Sequence, residues 1–266
     1  MNTADTSIVK PLKISIIGAG NVGFNLGKAL KKQGFGIFQV FSRSREKAEK
    51  LATETGAEAV TDLSKLQNEA DLVIIAVKDD AISEVAAALP FKPKNLVHTS
   101  GAVSTDVLKD AGESYGIFYP MYSFTTAPVD FKEVPFFISS ENEAMKALLK
   151  SVAEALGSKT YEITDKQRQY LHLAAVFANN FTNFMAGISK EIADDNKLEF
   201  KVLQTLFKET IKNVLSGDPV NMQTGPARRA DIKTLEAHLH LLEDYPEYRQ
   251  IYQLLSENIM KKYSPK

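Results

Sequence analysis

The chain has 266 residues, 44% of them hydrophobic and 24% charged, which is enough for one large domain or two modest ones. Lys and Arg total 32 and Asp and Glu 33, so the net charge of −1 leaves no broad basic face for nucleic acid. The chain has no cysteine, which excludes disulfides, zinc–thiolate sites and thiol chemistry and is compatible with a reducing cytoplasm.

Met1 to Lys10 is polar, lacks the apolar core of a signal peptide and reads as a short disordered lead-in. An apolar run, Ile14 to Ile17, then enters Gly18-Ala19-Gly20-Asn21-Val22-Gly23, and a helical pattern follows through Leu26, Ala29 and Leu30. A second apolar run, Ile37 to Phe41, closes the unit. Strand, glycine turn, helix and strand together mark a dinucleotide site. Gly18 permits the tight turn, Gly20 admits a pyrophosphate, and Gly23 lets the helix pack on the strand. The phosphates lie at the positive end of the helix that starts at Asn21 and Val22. The second strand ends in Ser42-Arg43-Ser44-Arg45, with no acid before Glu46. A carboxylate there would bond a ribose 2′-hydroxyl, whereas a guanidinium grips a 2′-phosphate, so NADP is favoured over NAD. If Arg43 and Arg45 are ordinary solvated residues of the next helix, the site takes either cofactor.

A helix from Glu46 to Thr55 ends at Gly56, and Ala57 to Val60 is a short strand. Asp71 to Val77 reads as a fully buried parallel strand, whose turn Ala76-Val77-Lys78 lies where ligands bind in open α/β sheets. A helix from Ala81 to Leu89 is broken by Pro90 and Pro93. Leu96 to His98 is the next strand and Thr99-Ser100-Gly101 its C-terminal loop. Ser104 caps a helix to Ala111, and Gly116 to Tyr119 is a sixth strand. After an irregular stretch, Pro135 to Ile138 is a strand, a capping box from Ser140 to Glu143 starts a helix to Leu156, and Lys159 to Ile163 is a last strand. This alternation predicts an α/β fold, a doubly wound Rossmann domain with parallel crossovers. From Thr164 the pattern is helical: a capping box with Gln167, a long helix to about Asp194, then helices over Glu199 to Leu215, Ala227 to Glu243 and Pro246 to Lys261. The expected division is therefore a dinucleotide-binding domain over residues 1–163 and a smaller all-helical domain over 164–266.

Gln169 to Ser189 contains no Lys, Arg, Asp or Glu, about the length of a membrane span. Its His172, Asn179, Asn180, Thr182 and Asn183 argue instead for a helix buried in protein. On ideal helical spacing His172, Val176, Asn179 and Asn183 share one face. That polar stripe finds partners either in a cofactor and substrate or in backbone groups and a second subunit. Ser100 and the Gly101 N–H are candidate donors to a substrate oxygen; His98 reads equally as a satisfied strand-end residue. Arg228 and Arg229, in the turn Thr224 to Asp231, suit an anionic substrate, with His238 two turns after Asp231 on the same face. The same segment also reads as a solvated helix start with a local Asp–Arg pair. Four histidines and no cysteine argue against a metal site.

On Gly18 to Gly23, Ser42-Arg43-Ser44 and Ala76-Val77-Lys78, the first half resembles the 6-phosphogluconate dehydrogenase-like superfamily, which includes pyrroline-5-carboxylate reductase. The whole chain resembles a bacterial group of NADP oxidoreductases that join a Rossmann domain to a helical domain of unknown function. That resemblance rests on His98-Thr99-Ser100-Gly101-Ala102, Tyr119 to Phe124, His172 with Asn179-Asn180-Phe181, and Gly225 to Arg229 with Asp231 and His238. Hydroxyacid dehydrogenases of the superfamily carry a lysine one turn before an asparagine on the long helix. Ala175 or Val176 stands there in this chain, which puts alcohol oxidation by that route in doubt.

The expected function is that of an NADP-dependent oxidoreductase acting on a small, anionic carbonyl or imine compound. Its site is expected in the cleft between the two domains. His172 is the expected general acid, Asn179 the residue that orients substrate, and Ser100 the neighbour of the nicotinamide. Gly101, Asn183, Arg228, Arg229 and His238 complete the substrate side. The alternative is a non-catalytic NADP(H)-binding sensor or partner-binding module. A cytoplasmic homodimer, assembled through the helical domain, is expected because the long uncharged helix has more apolar surface than the residues after it can cover.

Overall fold

The computed structural model describes residues 12–263; the polar lead-in Met1 to Lys10 lies outside them. Strands β1 (Lys13–Ile17), β2 (Gly36–Phe41), β3 (Glu58–Val60), β4 (Leu72–Ile75), β5 (Asn95–His98), β6 (Ser114–Pro120), β7 (Phe136–Ser140) and β8 (Thr160–Glu162) form one sheet. Its order is β3-β2-β1-β4-β5-β6-β7-β8. Strands β1 to β6 pair in parallel. This is the doubly wound order, with its reversal between β1 and β4, where a crevice opens at the C-terminal strand ends.

β7 departs from the parallel expectation and runs antiparallel to β6, Pro120 opposite Phe136 and Gly116 opposite Ser140. Only a single 3₁₀ turn, Phe131–Glu133, lies in the connection. A parallel return needs a crossover element to carry the chain back along the sheet, and none is there.

Alternation along the strands sends side chains to two cores. Ile14, Ile16 and Ile74 pack with Leu26 and Leu30 of α1 (Asn21–Lys32), Leu51 of α2 (Arg45–Thr55) and Leu149 of α4 (Glu143–Ala155). Ile17, Val73 and Ile75 pack on the opposite face with Ile82 of α3 (Ile82–Ala87) and Leu108. β1 and β4 are thus buried on both faces, and each fully buried Ile or Leu contributes about 1.5–3 kcal/mol. Helix α4 starts later than its sequence suggests. Ser140 is still in β7 and gives its hydroxyl to the Tyr115 carbonyl, so Asn142 caps the helix by accepting from the Met145 N–H.

The chain divides into two compact units at Asn179/Asn180. The first includes α5 (Asp165–Ala175), whose Thr164–Gln167 capping box forms as expected. The long helix is not continuous α-helix: Val176–Phe181 is a π-helical turn, followed by α6 (Thr182–Asp195). A π turn takes an extra residue, so the ideal-helix alignment of His172 with Asn179 and Asn183 does not apply.

The second unit contains α6, α7 (Gln204–Ser216), α8 (Ile232–Leu241) and α9 (Pro246–Tyr263). Helix α8 begins at Ile232 and not at Ala227, because Ala230 adopts a left-handed conformation (φ 52°) and Asp231 caps the helix on the Thr234 N–H. The long helix is not buried within one chain: Tyr170 is 64% and Phe184 52% exposed, and Leu206 (65%) and Leu215 (81%) of α7 are exposed as well. No helix among the described residues is long and apolar enough to cross a membrane.

Candidate active site

The glycine turn connects β1 to α1 as its spacing requires. Gly18 has φ 113°, and a Cβ there would fall 2.3 Å from the Ala76 carbonyl oxygen. A Cβ on Gly23 would fall 1.9 Å from the Gly18 carbonyl oxygen, whereas one on Gly20 would meet nothing within 4 Å. The chain is therefore closed behind Gly18 and Gly23 and open in front of Gly20. Helix α1 has neither a side-chain cap nor an acidic residue in its first turn, so the N–H groups at Asn21, Val22 and Gly23 are left for an anion. The Asn21 side chain is used otherwise: it donates to the Phe124 carbonyl, while Asn25 donates to the carbonyls of Asn21 and Thr125. These bonds tie the segment after β6 across the start of α1.

In front of Gly20 lies a cavity of about 400 Å³, lined by Ser42, Arg43, Ser44 and Lys47 and, from the β4 end, by Val77 and Lys78. Arg45 pairs instead with Glu49 along the exposed face of α2, so only one of the two arginines lines the cavity. Lys47 is a second cation there that the sequence reading missed. Its signal is its place one turn after Ser44, which accepts the Lys47 N–H as the α2 N-cap. Glu84 of α3 also lines the cavity, but β2 and the loop after it put no carboxylate into it. An open glycine turn, free helix N–H groups and two cations at the β2 end fit NADP(H). A larger groove of about 580 Å³ lies between α3 and the 3₁₀ turn Thr105–Leu108, away from the glycine turn.

Two strand spacings from β1, roughly 10 Å, the loop after β5 is held by a buried arginine that the sequence did not single out. Arg168 of α5 is 0% exposed. It donates to the Ser100 carbonyl at 2.7 Å, the Val103 carbonyl at 2.5 Å and the Asp165 carboxylate at 3.0 Å. Asp165 also accepts from the Ser104 and Thr105 hydroxyls and the Thr105 N–H. Burial raises the Asp165 pKa, but these hydrogen bonds outweigh it and bring it down to about 2. His98 is fully buried, and burial, reinforced by the Arg168 charge, lowers its pKa to about 4. It stays neutral, accepting the Ser100 N–H on Nδ1 and turning Nε2 toward the Ser104 carbonyl. Ser100 is buried, and its hydroxyl accepts from the Ala102 and Val103 N–H groups, so it shapes the loop.

The same loop brings Gly101 against His172. A Cβ on Gly101 would fall 2.5 Å from His172 Nδ1 and 2.9 Å from Tyr119 Cζ. His172 Nδ1 lies 3.2 Å from the Tyr119 hydroxyl at the end of β6. Nothing local in the sequence around Tyr119 reveals a partner on α5. Asn179 lies exposed in the π turn. Asn183, Arg228, Arg229 and His238 belong to the helical unit. There Arg228 stacks 4.3 Å over the Tyr263 ring, and His238 Nδ1 lies 2.8 Å from the Tyr252 hydroxyl. Hydrogen bonds from Thr234 hold the Asp231 carboxyl below its usual range. Among the described residues no cluster of His, Asp or Glu is suited to a metal ion.

The fold and the β1–α1 turn define a Rossmann-type protein with an NADP oxidoreductase-like dinucleotide site. Residues 13–102 match the family described as NADP oxidoreductase, coenzyme F420-dependent, and residues 134–259 match a domain of unknown function, DUF2520. The chain is 39% identical to a candidate NADP oxidoreductase from Bacteroides fragilis, over 94% of this chain and 98% of that one, with a TM-score of 0.86. It belongs to this family of two-domain NADP oxidoreductase-like proteins. A protein from Thermotoga maritima is 25% identical over 94% of this chain and 98% of its own, TM-score 0.70. An imine reductase from Myxococcus stipitatus, in complex with NADP+, shares the fold at 19% identity over 94% of this chain and 93% of its own, TM-score 0.71. Among curated proteins, glutamyl-tRNA reductases match in part. One from Pyrobaculum arsenaticum is 41% identical over 51 residues, 19% of this chain and 13% of that protein. One from Sulfolobus acidocaldarius is 34% identical over 90 residues, 34% of this chain and 21% of that protein.

Proposed function

We propose that the protein is a cytoplasmic NADP(H)-dependent oxidoreductase that interconverts a small, acidic carbonyl or imine compound with its reduced form. The observation that carries the reading is the cavity in front of Gly20, with Arg43 and Lys47 beside the Ser42 and Ser44 hydroxyls. A guanidinium and an ammonium favour a 2′-phosphate, and the helix N–H groups at Asn21 to Gly23 favour the pyrophosphate. The cofactor, when bound, supplies or takes up a hydride. The protein's own task is then to hold the acceptor carbon in place and to move one proton. His172, beside Gly101 and Tyr119, is the proton-handling group of this reading, with Asn179 orienting the substrate. Ser100 keeps its loop in shape beside the nicotinamide.

The working form in this reading is a homodimer built through the helical unit. Leu198, Val202, Leu206, Leu215 and Leu241 are all more than half exposed in one chain, which is more than a monomer ordinarily shows to water.

The test is a panel of acidic ketones, aldehydes and cyclic imines, scored by loss of NADPH absorbance with purified protein. Turnover of at least one class is expected, and His172→Ala should lower it by roughly 10²–10⁴-fold while leaving NADPH affinity nearly intact. Tight NADPH binding with no turnover across the panel would favour the sensor reading.

A further inference from the structure

Tyr119 and His172 come from segments 53 residues apart and meet over the loop after β5. Their rings stand edge to face, centroids 6.1 Å apart at 72°. Tyr119 is 9% exposed, and its ring centroid lies 6.2 Å from that of Phe137 of β7. The close approach of Gly101 leaves the pair no room to separate toward β5. A hydroxyl and an imidazole nitrogen make one bond in either of two directions. With Nδ1 bare, the Tyr119 hydroxyl donates to it and the phenol oxygen offers a ligand only lone pairs. With His172 doubly protonated, Nδ1–H donates to the phenol oxygen and the hydroxyl hydrogen is released for another acceptor.

We propose that Tyr119 is the catalytic residue that exchanges a proton with the substrate, and that the protonation state of His172 sets the direction of the exchange. This rests on the oxidoreductase reading above and assigns the proton step within it. In reduction the substrate carbon accepts a hydride, the π pair of its C=O or C=N bond moves to the heteroatom, and that atom takes the Tyr119 hydroxyl proton. The His172 Nδ1 proton returns to the phenol oxygen, and water reprotonates His172. In oxidation the heteroatom proton passes to Tyr119 as the phenol proton passes to bare Nδ1, while the carbon gives up a hydride. Protonated His172 therefore supports reduction and neutral His172 supports oxidation.

The surroundings support a relay in preference to a free phenolate. Burial raises the Tyr119 pKa; the Arg168 charge lowers it and Asp79 raises it. Tyr119 thus keeps its proton unless a neighbour replaces it. On α5, Arg168 is already bound to Ser100, Val103 and Asp165. From β5, His98 is held neutral with its pKa near 4. Among the described residues, His172 is in hydrogen-bond contact with the phenol and can resupply the proton.

Tyr119→Phe keeps the ring between Phe137 and His172 and removes only the hydroxyl. Two measurements test the assignment. The first needs neither cofactor nor substrate: ¹⁵N shifts of the His172 imidazole across pH. At high pH the wild type should hold the Nε2–H tautomer with Nδ1 as a hydrogen-bond acceptor, and Tyr119→Phe should lose the acceptor signature. The second is turnover, which should fall by roughly 10²–10⁴-fold in Tyr119→Phe with little change in NADPH affinity. A wild-type Nδ1–H tautomer at high pH, or a Tyr119→Phe enzyme with normal turnover and pH profile, would overturn the proposal. Failure of the wild type to turn over any substrate would instead overturn the oxidoreductase reading, and is told apart because the ¹⁵N measurement is independent of it.

Discussion

Arg168→Met should destabilise the protein by about 3 kcal/mol, for reasons that lie in three bonds. The guanidinium is wholly buried and donates to the Ser100 and Val103 carbonyls and the Asp165 carboxylate. Methionine fills much of the volume but donates nothing. Each abandoned buried acceptor costs about 1–3 kcal/mol, and removing one partner of a buried ion pair typically costs about 3–5 kcal/mol. Asp165 is 27% exposed and keeps its bonds from Ser104 and Thr105, so the lower end of that range applies. Urea unfolding should show the midpoint falling with the slope unchanged. A second readout is independent of stability. The Arg168 charge helps to hold the His98 pKa near 4, so its removal should raise the His98 titration, visible by NMR. A loss below about 1 kcal/mol with His98 titrating as before would show that the arginine does not anchor this loop.

Arg43→Asp should weaken NADPH binding at least tenfold and NADH binding far less, since a charge-assisted bond contributes roughly 1.5–3 kcal/mol. Equal losses for both cofactors would mean that Arg43 does not read the 2′-phosphate. Lys47→Ala should act in the same sense, with a smaller effect from a single point charge. Light scattering at micromolar concentration should report a dimer, and a Leu206→Glu, Leu215→Glu double variant should shift it toward monomer; a monomeric wild type would refute the assembly. Acid should destabilise the fold in two stages. Unfolded His98 takes up a proton near its ordinary 6.5, whereas the folded residue refuses it until about 4. Stability is therefore complete above 6.5 and falls as pH drops toward 4, by roughly 3 kcal/mol at most. Asp165, depressed from 3.8 to about 2, adds a further loss between those values, as its hydrogen-bonded carboxylate is protonated in the unfolded chain first. Urea midpoints that stay flat between 6.5 and 4 would contradict the His98 assignment.

The parts of this protein that were legible in its residues are those whose physics is local. The Gly18–Gly23 turn, its helix and its strand are set by backbone conformations and close approaches within a few residues, as is the Thr164–Gln167 capping box. The Ser42–Arg45 segment sits at the end of β2 because strand and helix periods place it there, so the cofactor preference could be read from its residue types, though not the part of Lys47. The direction of β7 could not: its residues alternate equally well either way, and only the lack of a crossover helix between Pro120 and Phe136 makes it antiparallel. Nor could the role of Arg168, which looks like a solvated charge in a first helical turn until α5 is packed on the loop after β5. The same is true of Tyr119 and His172, whose hydrogen bond depends on a strand end and a helix meeting across the sheet. The π turn at Val176–Phe181 likewise breaks the ideal spacing on which the stripe of His172, Asn179 and Asn183 was drawn. Local propensity specifies the elements; which buried polar groups satisfy one another is decided only when the elements pack, because each such bond joins donors and acceptors far apart in the chain.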